Sequence, residues 1–186
     1  MKIMYKTVLL IMAFESFCKT QAARKKPFMV KLNRVSCPKF SDRIKYMECN
    51  WKKVATSKYN LGSIFMLNND LDRDAEIQLK IHISRSGGKW LKFVDLKVNL
   101  CDALQKLLSI PLANTLLNEA LQTSNVPCSC PIKGNVMYNM SNFMVSDKLF
   151  PPYTPTNLEF NCTTNYFEHQ KVIYTFIVEG GIIPSA

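Results

Sequence analysis

Between Glu76 and Ser84 the chain alternates, with Ile77, Leu79, Ile81 and Ile83 set between Glu76, Gln78, Lys80, His82 and Ser84. A period of two sends successive side chains to opposite faces of a strand, here one wet and one buried. The same reading places strands over Phe28–Val35, Arg43–Lys53 and Leu61–Asn68. After a Ser86-Gly87-Gly88 turn, Lys89–Leu100 carries Val94, Leu96, Val98 and Leu100 on one side. Strands return over Val136–Val145, Leu158–Phe167 and Lys171–Glu179. The last is apolar on both faces, with Val172, Tyr174, Phe176 and Val178 opposite Ile173, Thr175 and Ile177. In an antiparallel protein such a strand needs two covers, the sandwich interior on one side and a helix on the other. Short strands at this regular spacing predict an all-β fold, an antiparallel sandwich or cup.

From Asp102 to Gln122 the period becomes helical. Leu104, Leu107 and Leu108 form one stretch of stripe, Pro111 ends or kinks it, and Leu112, Leu116, Ala120 and Leu121 continue it. A leucine stripe at this spacing is ordinarily core. Here it lies between Cys101 and the Cys128-Ser129-Cys130 cluster, which makes it a short kinked helical wall tied at both ends. Such a wall suits the holding of a greasy molecule better than it suits chemistry.

The first 22 residues are of another kind. Lys2 and Lys6 precede the apolar run Thr7–Phe14, and small residues near Thr20 and Ala22 offer a cleavage site, the pattern of a secretory signal peptide cut between Cys18 and Ala23. The run is far shorter than the ~20 residues of a membrane span. Residues 23–186 then form a single domain, secreted and extracellular. Of seven cysteines, Cys18 leaves with the signal, and Cys37, Cys49, Cys101, Cys128, Cys130 and Cys162 remain. An even count in an oxidising compartment implies three disulfides, with about fifteen connectivities open. Zinc is a poor reading of Cys128-Ser129-Cys130, since no second close pair or histidine cluster follows. The sequons at Asn139 and Asn161 fit the same address, provided that both side chains face outward from their strands.

Charge adds one element. The net charge is +10, and loss of Lys2, Lys6 and Lys19 together with Glu15 leaves about +8. A basic extracellular protein is drawn to anionic headgroups and acidic glycans, although lysines scattered along strands also describe an ordinary solvated face. Nucleic acid is excluded as a partner by compartment and by the lack of a recognition motif. A hydrolase is excluded on residues: His82 lies on a polar strand face, His169 lies in a Glu168-His169-Gln170-Lys171 turn, and there is no G-x-S-x-G elbow. No cofactor, metal or catalytic residue is expected.

Three stretches carry a family resemblance: Leu100-Cys101-Asp102-Ala103-Leu104, Pro127-Cys128-Ser129-Cys130-Pro131-Ile132-Lys133 and Asn142-Phe143-Met144-Val145. Together with Phe150-Pro151-Pro152-Tyr153 and the closing Glu179-Gly180-Gly181-Ile182, they resemble the ML lipid-recognition superfamily in its ganglioside-activator-like branch. The chain is more similar still to its insect secreted relatives, which include Che-type chemosensory proteins. The resemblance covers roughly Phe93 to Ile182. The chain departs from the family in the last strand, where Val172-Ile173-Tyr174 stands in place of a cysteine, so one family disulfide cannot form. The family's partner for Cys128 is missing as well.

The resemblance implies a β-cup that holds acyl chains or another hydrophobic ligand such as a fatty acid or cuticular hydrocarbon, lined by Leu104, Leu107, Leu108, Leu112, Phe143, Phe160 and Phe176. Burying a sixteen-carbon chain yields on the order of 12 kcal/mol gross, at ~0.8 per methylene. Its rim loop, through Phe150 and Tyr153, would touch a membrane surface transiently. Some relatives act beside receptors, so a receptor is a further partner, and an extracellular interaction module or co-receptor subunit is the alternative reading. The matched motif implies a Cys101–Cys130 disulfide, and the remaining cysteines divide most simply into Cys37–Cys49 and Cys128–Cys162.

Overall fold

The computed structural model describes residues 28–85, 87–106, 122–127 and 129–185. The signal segment, Leu107, Leu108, Leu112 and Cys128 lie outside the described residues. The strands are β1 (Phe28–Ser36), β2 (Ile44–Ala55), β3 (Lys58–Leu67), β4 (Glu76–Arg85), β5 (Leu91–Asn99), β6 (Met137–Ser146), β7 (Leu158–Glu168) and β8 (Lys171–Pro184). Among the described residues one α-helix, α1 (Leu100–Lys106), follows β5, and a 3-10 turn covers Asp147–Leu149. The strands form two antiparallel sheets, ordered β1-β8-β7-β4-β5 and β2-β3-β6. The expected all-β sandwich with a short helical segment is the observed fold.

Alternation builds the interior. Across the larger sheet Ile77 pairs with Val98 and Tyr166, Ile81 with Val94 and Cys162, and Ile83 with Leu91 and Phe160, so apolar positions share one face. The opposite face carries hydrogen-bonded polar side chains. Thr175 Oγ1 donates to Asn165 Oδ1 at 2.8 Å, and Gln78 Nε2 donates to Asp95 Oδ1 at 2.7 Å. The cover expected there differs: among the described residues α1 lies beside β4 and β5, not over the outer face of β8. Asn99 starts the helix two residues earlier than the periodicity does, because its Oδ1 accepts from the N–H of Asp102 at 3.0 Å.

Two apolar clusters fill the sandwich. The first gathers Ile44, Leu67, Leu71, Leu100, Ile132, Tyr138, Ile173 and Tyr174 at the α1 end. The second gathers Phe28, Val30, Leu32, Tyr59, Leu61, Val145 and Ile182 at the opposite end. Cys37–Cys49 ties β2 to the segment after β1, and so one sheet to the other; Cys101–Cys130 anchors α1 to the segment before β6. The expected Cys128–Cys162 bridge is not formed, for Cys162 carries a free thiol. It stands mid-strand beside Ile81 and Val178, so apolar neighbours wall it in on both sides. Burial pushes that thiol up to about 11.

Candidate ligand-binding cavity

At the α1 end the two sheets do not close on each other. They leave an apolar cavity of about 220 Å³, lined by Met47 of β2, Ser63, Phe65 and Leu67 of β3, Glu76 and Ile77 of β4, and Leu100 and Leu104 of α1. Met140, Tyr166, Phe167, Ile173, Tyr174 and Phe176 add strand residues from β6, β7 and β8, and Leu71, Ser124, Val126 and Ile132 come from connections. A β-bulge shapes the wall. The β7–β8 register shifts between Tyr166 and Phe167, leaving Ile173 without a directly paired partner. As a result Ile173 and Tyr174, adjacent in sequence, both reach the cavity. The aromatic part of the wall is continuous: ring centroids lie 5.1 Å apart for Phe65 and Tyr138, 5.9 Å for Phe65 and Tyr174, and 4.1 Å for Tyr166 and Tyr174.

Polar groups in the lining are few. Among the described residues Glu76 is its single charged residue and is paired with Lys97, whose Nζ also lies 4.2 Å from the centre of the Phe167 ring. Burial raises both phenols, and the neighbouring Tyr166 raises Tyr174 further. The cavity end is braced from outside. Arg43, just before β2, grips the Glu168 carboxylate at the end of β7 through its Nε and Nη2, and the Asp72 N–H donates to Glu168 Oε1 at 3.3 Å. Burial alone would raise the Glu168 carboxyl, but the hydrogen bonds from Arg43 and from the Asp72 backbone, with the guanidinium charge, hold it below its ordinary value. Next to this brace Asp72, Asp74 and His169 bring three ligand atoms within 4.8 Å of one another, all exposed. His169 Nε2 sits 3.2 Å from Asp72 and 3.8 Å from Asp74.

The sequence-derived lining is brought together only in part. Leu104 and Phe176 line the cavity. Phe143 and Phe160 pack instead into the second cluster, at the opposite end. The two rim residues separate too. Phe150 folds back onto Phe160, with centroids 5.8 Å apart, whereas Tyr153 is 83% exposed. Their loop connects β6 to β7 beside the second cluster, so it does not frame the cavity: three prolines hold it out of the ladder, and Phe150 still finds core to bury in. Sequence reasoning missed Tyr166, Tyr174, Ile173 and Phe65. The alternation of Tyr166 with Thr164, and of Phe65 with Leu67 and Ser63, was the available signal for two of them.

Of the sequon residues, Asn139 is exposed on β6. Asn161 faces outward but is engaged, with its Nδ2 donating to Glu179 Oε1 at 3.0 Å and its Oδ1 accepting from Thr163 Oγ1 at 2.7 Å. Among the described residues no helix is long and apolar enough to cross a membrane.

Comparison with known proteins adds little beyond the fold. Residues 77–160 match the model of a family described as a protein of unknown function (DUF1091). No curated protein matches the chain. A crystal structure of a protein from Archaeoglobus fulgidus is similar over 77% of this chain and 98% of its own, at 8% identity and a TM-score of 0.23, values too low to bear on fold or function.

Proposed function

We propose that the chain is a secreted, non-catalytic binding protein that carries a hydrophobic ligand between its two sheets, as its resemblance to the ML lipid-recognition superfamily and its chemosensory insect relatives implies. The observation that carries this reading is the cavity, enclosed by two sheets and a helix and lined almost wholly by apolar and aromatic side chains. Among the described residues its lining contains no histidine and no cysteine. His82 lies on the outer face of β4 opposite Asn161, and His169 lies in the β7–β8 turn, so neither is placed to act as a base on a molecule in the cavity. The two disulfides and the sequons at Asn139 and Asn161 fit an oxidising, extracellular address.

The test is direct. Protein stripped of bound molecules is offered a mixture of lipids, fatty acids and shorter hydrocarbons and ketones, re-isolated, extracted and analysed by mass spectrometry. One ligand class recovered at stoichiometric amount supports the reading, and recovery of none overturns it. A second reading, an interaction module acting beside a receptor or at a membrane surface, is favoured by Trp90, Leu91 and Phe93, which are 51%, 64% and 69% exposed within four residues of one another. That surface would act alongside the cavity.

A further inference from the structure

We infer that a second site lies at the packed end of the sandwich, a groove between β1 and β2 that takes one ring of an acidic glycan, a sugar bearing a carboxylate or sulfate. This site is separate from the apolar cavity and does not depend on what the cavity holds.

The groove follows from the topology. β1 lies at the margin of the larger sheet and β2 at the margin of the smaller, and among the described residues no ladder joins them. Two ties hold these margins side by side. The Cys37–Cys49 disulfide closes one end, and at the other the Val30 N–H donates to Ser57 Oγ at 2.8 Å. Trp51 and Lys53 fall between the ties along β2, where the unbroken period of two turns both to the face of Cys49, towards β1. The gap measures about 280 Å³ and is lined also by Met29 and Lys31 of β1, Tyr59 of β3 and Ile183 of β8. Walls fixed in this way need little ordering when a molecule enters.

The lining offers an aromatic face beside two cations. Trp51 is 36% exposed, with the buried Tyr59 ring centred 5.7 Å from its own. Among the described residues Lys31 and Lys53 are the charged groups of the groove, and neither forms an ion pair. Glu159 shares the outer face of the sheet with Lys31, across Gly181, yet makes no bridge to it. A concave site with charge of one sign concentrates ions of the other. A pyranose ring has an apolar C–H face to lay on an indole, and its carboxylate or sulfate supplies the anionic edge. Size agrees: at the ~25 Å³ per atom of benzene in a ~150 Å³ cavity, the groove holds roughly eleven non-hydrogen atoms, about one sugar residue. A peptide strand fits less well, because the Val30 N–H at that margin is already taken by Ser57. A flat membrane surface cannot enter a recess.

Trp90→Phe leaves Trp51 as the single indole of the chain, so emission from that protein reports on the groove. A chondroitin sulfate tetrasaccharide should shift this emission saturably, and neutral chitotetraose should leave it unchanged. With Lys31→Gln and Lys53→Gln added, affinity should fall about five- to twentyfold, as the loss of two exposed ion pairs implies. A control with the same loss of charge, Lys89→Gln with Lys171→Gln, should stay within about twofold at physiological salt, where distant charges are screened. Absence of a saturable shift overturns the inference. An equal shift from chitotetraose overturns it too, as does an equal loss in the two double variants, which would reduce the attraction to net charge. If vesicles of phosphatidylserine and phosphatidylcholine shift the emission through the same two lysines and the tetrasaccharide does not, the groove is a membrane contact and the glycan reading falls.

Discussion

At one end of the sandwich Phe28 and Val30 are each 2% exposed, and with Leu32, Tyr59, Leu61, Val145 and Ile182 they close the space between the sheets. At the other end residues of the same strands, with the same alternation, leave a cavity of about 220 Å³. Side-chain hydrophobicity does not separate the two. Backbone devices do. At the packed end Gly180 lets β8 pass close to its neighbours: a Cβ there would meet Lys31 O at 2.5 Å and Phe160 Cζ at 2.6 Å. At the open end the bulge beside Tyr166 and Phe167 turns consecutive residues inward, and Leu100 and Leu104 of α1 line the gap between the sheets. Whether a two-sheet interior becomes core or container is thus decided by a glycine in one place and an extra residue in another.

The largest expected effect breaks this contrast by volume. Leu61→Ala, at a site 3% exposed, removes packing that the closed end cannot recover and should cost about 3 kcal/mol in a denaturant titration. Val126→Phe adds bulk at the cavity wall, and is expected to abolish ligand uptake while moving the Tm only a few degrees, because the added ring has space to enter. Similar Tm losses for the two variants would mean that the cavity collapses in solution.

The next effect concerns the brace at the open end. The Glu168 side chain is 4% exposed and that of Arg43 23%, so Glu168→Gln should cost about 2 kcal/mol, below the ~3–5 of a fully buried pair. Glu168 is held below its ordinary 4.5, so the wild-type brace contributes above that pH and is lost as pH falls through the depressed folded value. Wild type and Glu168→Gln should therefore differ in stability at neutral pH and converge on acidification. Parallel pH–stability curves would remove the brace from the account.

The smallest effect splits the β6–β7 loop. Phe150→Ala should cost about 1–2 kcal/mol, since its ring packs on Phe160, while Tyr153→Ala should change stability by less than about 0.5 kcal/mol. If the Tyr153 variant alone loses liposome binding, the loop is a membrane contact at the end remote from the cavity; if both variants bind liposomes like wild type, it is not.

Most of the fold was legible because the strands that build it alternate. The Ile77–Ile83 run in β4 appears where the period of two puts it, and Cys101 pairs with Cys130 as the resemblance implies. What could not be read is where the alternation slips. Ile173 and Tyr174 were assigned opposite faces, and the bulge gives them one. The last strand reads as ending at Glu179, yet β8 runs on to Pro184 with both glycines in the ladder. Counting cysteines cannot show that Cys162 faces inward, and a phenylalanine in a strand does not disclose that Phe143 and Phe160 pack against the cluster at the end away from α1.

The bulge in β5 has a consequence for how copies of the chain meet one another. β5 lies at the margin of the larger sheet, where among the described residues a row of backbone N–H and C=O groups has no neighbouring strand. Beside that row stand Trp90, Leu91 and Phe93, a combination that invites strand-by-strand polymerisation. Such growth needs a straight, in-register template. The pairing of β4 with β5 slips by one residue at Phe93, so the margin is kinked just where it is most apolar. The greasy margin thereby stays open to a partner that docks on its side chains, and closed to one that would extend the sheet into a fibre.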